Sequence, residues 1–377
     1  MSACQFTSSE DFCRCSSGCT AVQNTILYAE INNKLECDLY AMVPALVGQA
    51  FHAVLLPAGF SIQTHAQATV THNLPVDGSD ERYQLSRALD FGITVLYEGQ
   101  GPEFIHWESK PFPFGNWAGR LRDQDTPLHE AWTALTACLP QILIQGYLWL
   151  LRDDGENGSQ FLVVQIGPYF CLFEFKELAV KSRSVPVAAT QVVPGTFDKL
   201  HWMDCIDAEH VECHYLLEPL YELSPDQASY NLDRRVSVQL CSAFRYALHN
   251  LSRHWHQDEL QEVQYLLPRF NLHRPSSRPT NNENIRSLGV PLWAGAKATV
   301  TPSQIIRRYL KVEADKLQAL RNELNKPPVG SAKPHDTEDR LQYYFGSPTK
   351  SFSLKPRIKR SASRGGEAST SKRPNLK

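Results

Sequence analysis

Leu89-Asp90-Phe91-Gly92-Ile93-Thr94-Val95-Leu96-Tyr97-Glu98-Gly99-Gln100-Gly101-Pro102-Glu103-Phe104-Ile105-His106-Trp107-Glu108-Ser109-Lys110 is the stretch that decides how this chain is organised. It reads as two β-strands, rich in β-branched and aromatic residues, around a Gly-Gln-Gly-Pro turn. A hairpin folded about Gln100 sets residues whose numbers sum to about 200 opposite each other, so Asp90 faces Lys110 and Gly92 faces Glu108. Side chains alternate along a strand. His106, Glu108 and Lys110 therefore share one face, and Ile105, Trp107 and Ser109 the other. Two carboxylates and an ammonium kept among Phe, Ile, Val and Trp need a reason to be there.

Such a cluster suits metal-dependent phosphodiester hydrolysis. Two carboxylates hold a hard divalent cation such as Mg²⁺ or Mn²⁺, which keeps several waters and neutralises charge on a phosphate. A lysine beside them orients or helps to deprotonate the attacking water, or holds the phosphate as a point charge. The bland alternative for Glu-x-Lys on a strand is a solvated face. An Asp, a hairpin and then Glu-x-Lys is also the signature of the PD-(D/E)xK phosphodiesterase superfamily, which this chain resembles from about Ala21 to Phe175. The resemblance implies an α/β (α+β) restriction-endonuclease-like core, a mixed central sheet flanked by helices. It implies Asp90 as the first metal ligand, Glu108 as the second and Lys110 as the catalytic lysine.

The residues after the hairpin agree with that resemblance. Asp125 or Thr126, with Pro127 at the first helical position, starts a helix through Leu128, Trp132, Leu135, Leu139, Tyr147 and Leu151, bent at Pro140. Gln141 and Gln145 sit one turn apart on it. Beyond a turn at residues 153–159, Phe161–Ile166 and Tyr169–Phe175 read as strands around Gly167-Pro168. This is the element order of the superfamily core. In many relatives a glutamine on that helix contributes to the active site, and Gln141 or Gln145 matches it; ordinary helix surface is the alternative. Relatives also often place a glutamate of the first helix near the metal. Residues 20–38 read as that helix, with Val22, Ile26, Leu27, Ile31 and Leu35 on one side. Glu30 or Glu36 is the matching candidate, against a solvated carboxylate. Phe51–Leu56 reads as a short buried strand, Val70 lies on another, and residues 80–89 read as a helix or helical turn leading into Asp90.

At 377 residues, 42% hydrophobic and 21% charged, the chain can bury one large core or two modest ones. No apolar run approaches the length of a membrane span, and residues 1–20 lack the pattern of a signal peptide, so an intracellular protein is expected. Among ten cysteines, Cys4, Cys13, Cys15 and Cys19 cluster without zinc-site spacing and are expected to be free thiols. The expected organisation is a flexible Cys/Ser-rich leader at 1–20, a nuclease-like core at 21–180, a mainly helical accessory region at 196–325 and a disordered basic tail at 326–377.

In the second half, His201, Asp204, Cys205, His210, Cys213 and His214 gather metal-ligand residue types in no zinc pattern. His106, two residues before Glu108, is a candidate for a softer metal or a hydrogen-bonded half-buried ring. Ser224-Pro225-Asp226 opens a helical pattern through Leu232, Val236, Leu240, Phe244 and Leu248, with a basic flank of Arg234, Arg235, Arg245, His249 and Arg253. That flank suits a nucleic-acid backbone or open solvent equally. Thr301-Pro302-Ser303-Gln304 is a capping box that starts a helix to Asn325. Its stripe of Leu310, Leu317, Leu320 and Leu324 is expected to pack on the body or on a protein partner.

Lys355-Pro356-Arg357-Ile358-Lys359-Arg360 and Lys372-Arg373-Pro374 are basic clusters of the nuclear-import type, so the nucleus is the expected location, with the cytoplasm otherwise. Residues 355–377 carry four lysines and four arginines against Glu367, net +7; with the whole chain at −2, residues 1–354 carry −9. A body of that charge repels nucleic acid except at a local basic patch or a bound cation. The expected function is metal-dependent hydrolysis of DNA or RNA. The alternative is a catalytically inactive nuclease-fold scaffold acting as a nuclear interaction protein. The overall texture is similar to nuclease-like proteins of filamentous and mushroom-forming fungi. No Gly-rich phosphate loop or His-Arg-Asp loop is present to support kinase chemistry.

Overall fold

Helix formation begins earlier than the apolar pattern predicts. In the computed structural model, which describes residues 16–32, 35–52, 59–97, 101, 103–112, 125–152, 159–191, 196–223, 234–251 and 300–324, helix α1 spans Ser16–Asn32. Five residues of the expected leader are thus helical, while Cys4, Cys13 and Cys15 lie outside the described residues. The core side of α1 is Val22, Ile26 and Ala29, whereas Ile31 and Leu35 are exposed. Glu36 belongs to a separate 3₁₀ turn, Glu36–Leu39, not to the first helix. Helix α2, Met42–His52, then takes in Phe51 and His52, which were expected in a strand. The apolar run there simply continues a helical period; Ala53–Leu56 lie outside the described residues.

Strand β1 (Phe60–Pro75) and strand β2 (Arg82–Tyr97) form a sixteen-residue antiparallel pair, from Phe60 opposite Tyr97 to Pro75 opposite Arg82. Residues 82–89 are therefore strand, not helix. Exposed Gln84, Ser86 and Ala88 alternate with buried Leu85, half-buried Arg87 and buried Leu89, the period of two of a strand. Strand β3 (Glu103–Lys110) pairs with β2 from Thr94 opposite Glu103 to Phe91 opposite Trp107, with a bulge beside Ile93. Gly92 thus lies across from His106, not Glu108. The described pairing starts at Glu103, and Gly99, Gln100 and Pro102 of the expected Gly-Gln-Gly-Pro turn lie outside the described residues. The two-residue slip preserves the face of every side chain.

Helix α3, Asp125–Arg152, crosses over to strand β4 (Ser159–Ile166), which runs parallel to β3 with Glu108 beside Val164. Strand β5 (Tyr169–Lys176) returns antiparallel. After helix α4 (Phe197–Cys205), strand β6 (Val211–Pro219) completes one mixed six-stranded sheet in the order β1-β2-β3-β4-β5-β6. The region expected to be mainly helical therefore supplies a strand to the central sheet. A small ribbon, β7 (Tyr221–Leu223) with β8 (Arg234–Val236), precedes helix α5 (Val238–Leu251), so Val236 is strand and not helix.

Helix α3 covers the face that carries His106 and Glu108, and α4 packs on α3. Helices α2 and α5 cover the other, where Trp107 stacks on Phe244 at 6.1 Å and Phe51 meets Phe244 edge-on. By length and composition Leu128–Arg152 is apolar enough to cross a membrane, contrary to expectation, yet 72% of its apolar window is buried inside the protein, as for a core helix. Helix α6, Pro302–Leu324, starts at the expected capping box: the Thr301 N–H donates to Gln304 Oε1 at 3.1 Å and the Gln304 N–H to Thr301 Oγ1 at 3.3 Å. Ile305, Ile306, Leu310 and Leu317 are buried against the body.

Candidate active site

Asp90 and Glu108 meet just past the point where the β2–β3 ladder ends at Phe91 and Trp107. There the Asp90 side chain replaces a backbone acceptor: its Oδ2 takes the buried Ser109 N–H at 2.6 Å. Its Oδ1 accepts from the Tyr40 hydroxyl. Opposite Asp90 in the β1–β2 register is Gln67, a non-glycine residue in the left-handed region (φ 55°), and the ladder skips this pair. Backbone strain at such a position is retained where neighbouring structure demands it.

Glu108 is the hub of the cluster, and it is only 3% exposed. Helix α3 brings two amides to it, one per oxygen. Gln141 Nε2 donates to Oε1 at 2.7 Å, and Gln145 Nε2 to Oε2 at 3.0 Å. The i, i+4 spacing puts both on one helix face. Gly146 permits the approach, because a Cβ there would sit 2.5 Å from the Phe175 ring. Both glutamines that sequence offered as alternatives are thus brought to the same carboxylate.

Lys110 Nζ lies 2.7 Å from Glu108 Oε1 and 2.6 Å from Glu36 Oε1. Glu36 joins the cluster from the 3₁₀ turn; Glu30 does not. Glu30 is buried and accepts from the Tyr221 hydroxyl at 2.7 Å, so neither glutamate is a merely solvated helix carboxylate. The carbonyl of Lys110 accepts from Gly167 N–H at 3.1 Å, and Gly167, with φ 55°, packs so tightly on Phe112 that a Cβ would come within 2.3 Å. The β4–β5 turn therefore fixes the end of β3.

The charges do not balance: Asp90, Glu108 and Glu36 surround one ammonium. Burial pushes the Glu108 carboxyl up to about 7, against the pull of Lys110 and with the push of Asp90. Burial also raises Asp90, opposed by its bonds from Tyr40 and Ser109. For Lys110, burial works against the ammonium, but Glu108 and Glu36 outweigh it and hold the pKa above its ordinary value. Burial and the Asp90 bond raise the Tyr40 phenol, which stays protonated as a donor. Among the described residues, Gln145 Oε1, fully buried beside Glu108, has no hydrogen-bond partner.

His106 stands apart from the cluster despite sharing its face. It stacks on Trp149 of α3 at 3.8 Å, its Nε2 lies 3.3 Å from Gln160 Oε1, and burial lowers its pKa to about 3. The ring is neutral, stacked and hydrogen-bonded at a buried position away from the two carboxylates. The second-half set also disperses: His201 pairs with Asp204 at 2.9 Å, His210 lies 3.8 Å from Asp207, and His214 lies 2.7 Å from Glu174. Among the described residues no three His, Cys, Asp or Glu side chains converge as a metal cage. Arg245 of the expected basic flank is half-buried, and Arg253 lies outside the described residues.

Sequence reasoning missed Tyr40 and Gln67. Tyr40 follows the 3₁₀ turn with no motif around it, and nothing in the composition of β1 marks a left-handed glutamine. Compared with protein-family models and with curated proteins, the chain finds no match.

Proposed function

We propose that this chain is a divalent-metal-dependent phosphodiesterase acting on nucleic acid, built on a restriction-endonuclease-like core. The observation that carries the reading is Glu108: a buried carboxylate oriented by two glutamine amides, beside Asp90 and Lys110, in a cluster with more negative than positive charge. A structural ion pair needs no such excess. The element order around it supports the same reading: first helix, hairpin with Glu-x-Lys, glutamine-bearing crossover helix, then two strands.

The donor set fits Mg²⁺ or Mn²⁺. Asp90 and Glu108 supply hard oxygens, and Mg²⁺ is commonly held by one or two carboxylates with water and substrate phosphate filling the rest. The orphaned Gln145 Oε1 offers a buried acceptor for a water of that shell. When bound, the cation supplies charge neutralisation at the phosphate and a more acidic water. The remaining roles fall to the chain. Tyr40 and the Ser109 N–H hold Asp90; Gln141 and Gln145 hold Glu108 with both oxygens directed; Lys110 orients the attacking water or the phosphate from between Glu108 and Glu36.

One observation favours the second reading, a silent nuclease-fold scaffold. Lys110 already satisfies Glu108 and Glu36, and no three ligand side chains converge among the described residues. The separating experiment incubates purified full-length protein with labelled single- and double-stranded DNA and RNA over a Mg²⁺ or Mn²⁺ series, beside Asp90→Asn and Lys110→Ala. Metal-dependent cleavage lost in both variants is the expected result. No cleavage of any substrate by the wild type rejects the enzyme reading in favour of the scaffold.

A further inference from the structure

The two edges of the six-stranded sheet are finished differently. At the β6 edge, helix α6 meets the strand's backbone with side chains: the Cys213 N–H donates to Ser303 Oγ at 2.9 Å, and Arg307 Nε donates to the Val211 carbonyl at 3.3 Å. Arg307 Nη2 also pairs with Glu212 at 2.8 Å. Helix α6 thus occupies that edge over Val211–Cys213. At the β1 edge, sixteen residues contain no Lys, Arg, Asp or Glu. Natural edge strands are usually blunted by charge, proline, a bulge or brevity, because unpaired N–H and C=O groups are a template for another strand.

The left-handed Gln67 divides β1 into two arms. The arm beyond it ends at Pro75, whose carbonyl takes the Val185 N–H at 2.9 Å. The arm before it carries no such contact: among the described residues no backbone-to-backbone bond reaches the outer edge of Ser61–Ala66. Ser61, Gln63, His65 and Ala66 are exposed there.

We propose that Ser61–Ala66 is a self-association edge, pairing antiparallel with the same arm of a second copy about a two-fold axis. Three features select a second copy as the occupant. Six residues is an ordinary strand length, and a two-fold antiparallel pair presents each arm with the reverse of itself. With no charge in the arm, self-pairing sets no like charges opposite each other, and Ser61, Gln63 and Thr64 are hydrogen-bonding cross-strand partners. A two-fold β1–β1 pair uses up both β1 edges, and α6 occupies the start of the opposite, β6 edge at Val211–Cys213, so assembly is expected to stop at two copies. The inference stands apart from the nuclease reading.

Sedimentation velocity of the full chain over roughly 1 to 100 μM tests it, with Gln63→Lys/His65→Lys and Gln63→Glu/His65→Glu as paired variants. The wild type is expected to dimerise, each variant alone to weaken the dimer by about tenfold or more, and a one-to-one mixture of the two variants to restore it. Unchanged far-UV spectra check that the variants fold. A wild type that stays monomeric, variants that dimerise like the wild type, or variants that fail to recover on mixing would each overturn the proposal. A monomer would leave the edge to a strand of a different protein.

Discussion

Glu108 and Glu174 are both buried carboxylates on neighbouring parts of one sheet, and their surroundings do opposite things to them. Glu174 accepts from His214 Nε2 at 2.7 Å, from Ser159 Oγ at 2.8 Å and from the Tyr246 hydroxyl at 3.3 Å. Burial raises its pKa, but these bonds and the His214 charge win, and the carboxyl ends below its ordinary range. Glu108 is as well oriented, yet it shares one ammonium with Glu36 and feels Asp90, so burial wins. Full hydrogen bonding is common to both. Charge balance separates them: on the proposed reading Glu174 holds structure together and Glu108 is the carboxylate kept for a cation.

The largest expected effect breaks the comparison by function. Glu108→Gln should lower metal-dependent cleavage by at least about 10³-fold, while Glu174→Gln should change it by less than about threefold. Initial rates on the preferred oligonucleotide at saturating Mn²⁺ check both. Equal losses would make the two carboxylates the same kind of group.

Stability should separate them next. Glu174→Ala removes the partner of a buried histidine and should cost on the order of 3 kcal/mol in urea unfolding. Glu108→Gln should do the reverse above neutral pH. Its folded pKa of about 7 lies above the ordinary 4.5, so folding favours the protonated form. The cost of ionising it is absent below 4.5, grows as pH rises, and is complete above 7, on the order of 3 kcal/mol. The variant should therefore match wild type at pH 4.5 and exceed it at pH 8. A stabilisation that grew on acidification would contradict the assigned shift.

The smallest effect concerns Tyr40. Tyr40→Phe removes one bond to Asp90 and should weaken Mn²⁺ binding by about tenfold, with unfolding midpoints little changed. An unaltered affinity would leave Tyr40 as packing against Phe91 alone, 5.3 Å away between ring centres.

Much of this site was legible because its geometry is local. Glu108 and Lys110 share a strand face by alternation, Gln141 and Gln145 a helix face by i, i+4, and the hairpin links them to Asp90. The α6 capping box was equally local. What escaped detection depends on contacts distant in sequence. Glu36 reaches Lys110 across 74 positions and Tyr40 reaches Asp90 across 50, and no short-range pattern encodes either. Strand β6 was hidden for a related reason: Val211–Pro219 carries Glu212, His214 and Glu218 among its apolar residues, and the polar side chains find partners only in the folded sheet. Residues 82–89 are different, since Leu85 and Leu89 did alternate with polar neighbours; Arg87, which pairs with Asp198 of α4, blurred the pattern.

Titration calorimetry of Mn²⁺ into wild type, Glu108→Gln and Glu174→Gln near pH 7, in two buffers of different ionisation heat, addresses the metal-centre claim most directly. The cluster described here predicts wild-type binding with a Kd on the order of 0.1 to 1 mM. Proton release should accompany it as Glu108 gives up its proton. Binding and release should both persist in Glu174→Gln and vanish in Glu108→Gln. Absence of binding in the wild type, or equal binding by Glu108→Gln, would contradict it.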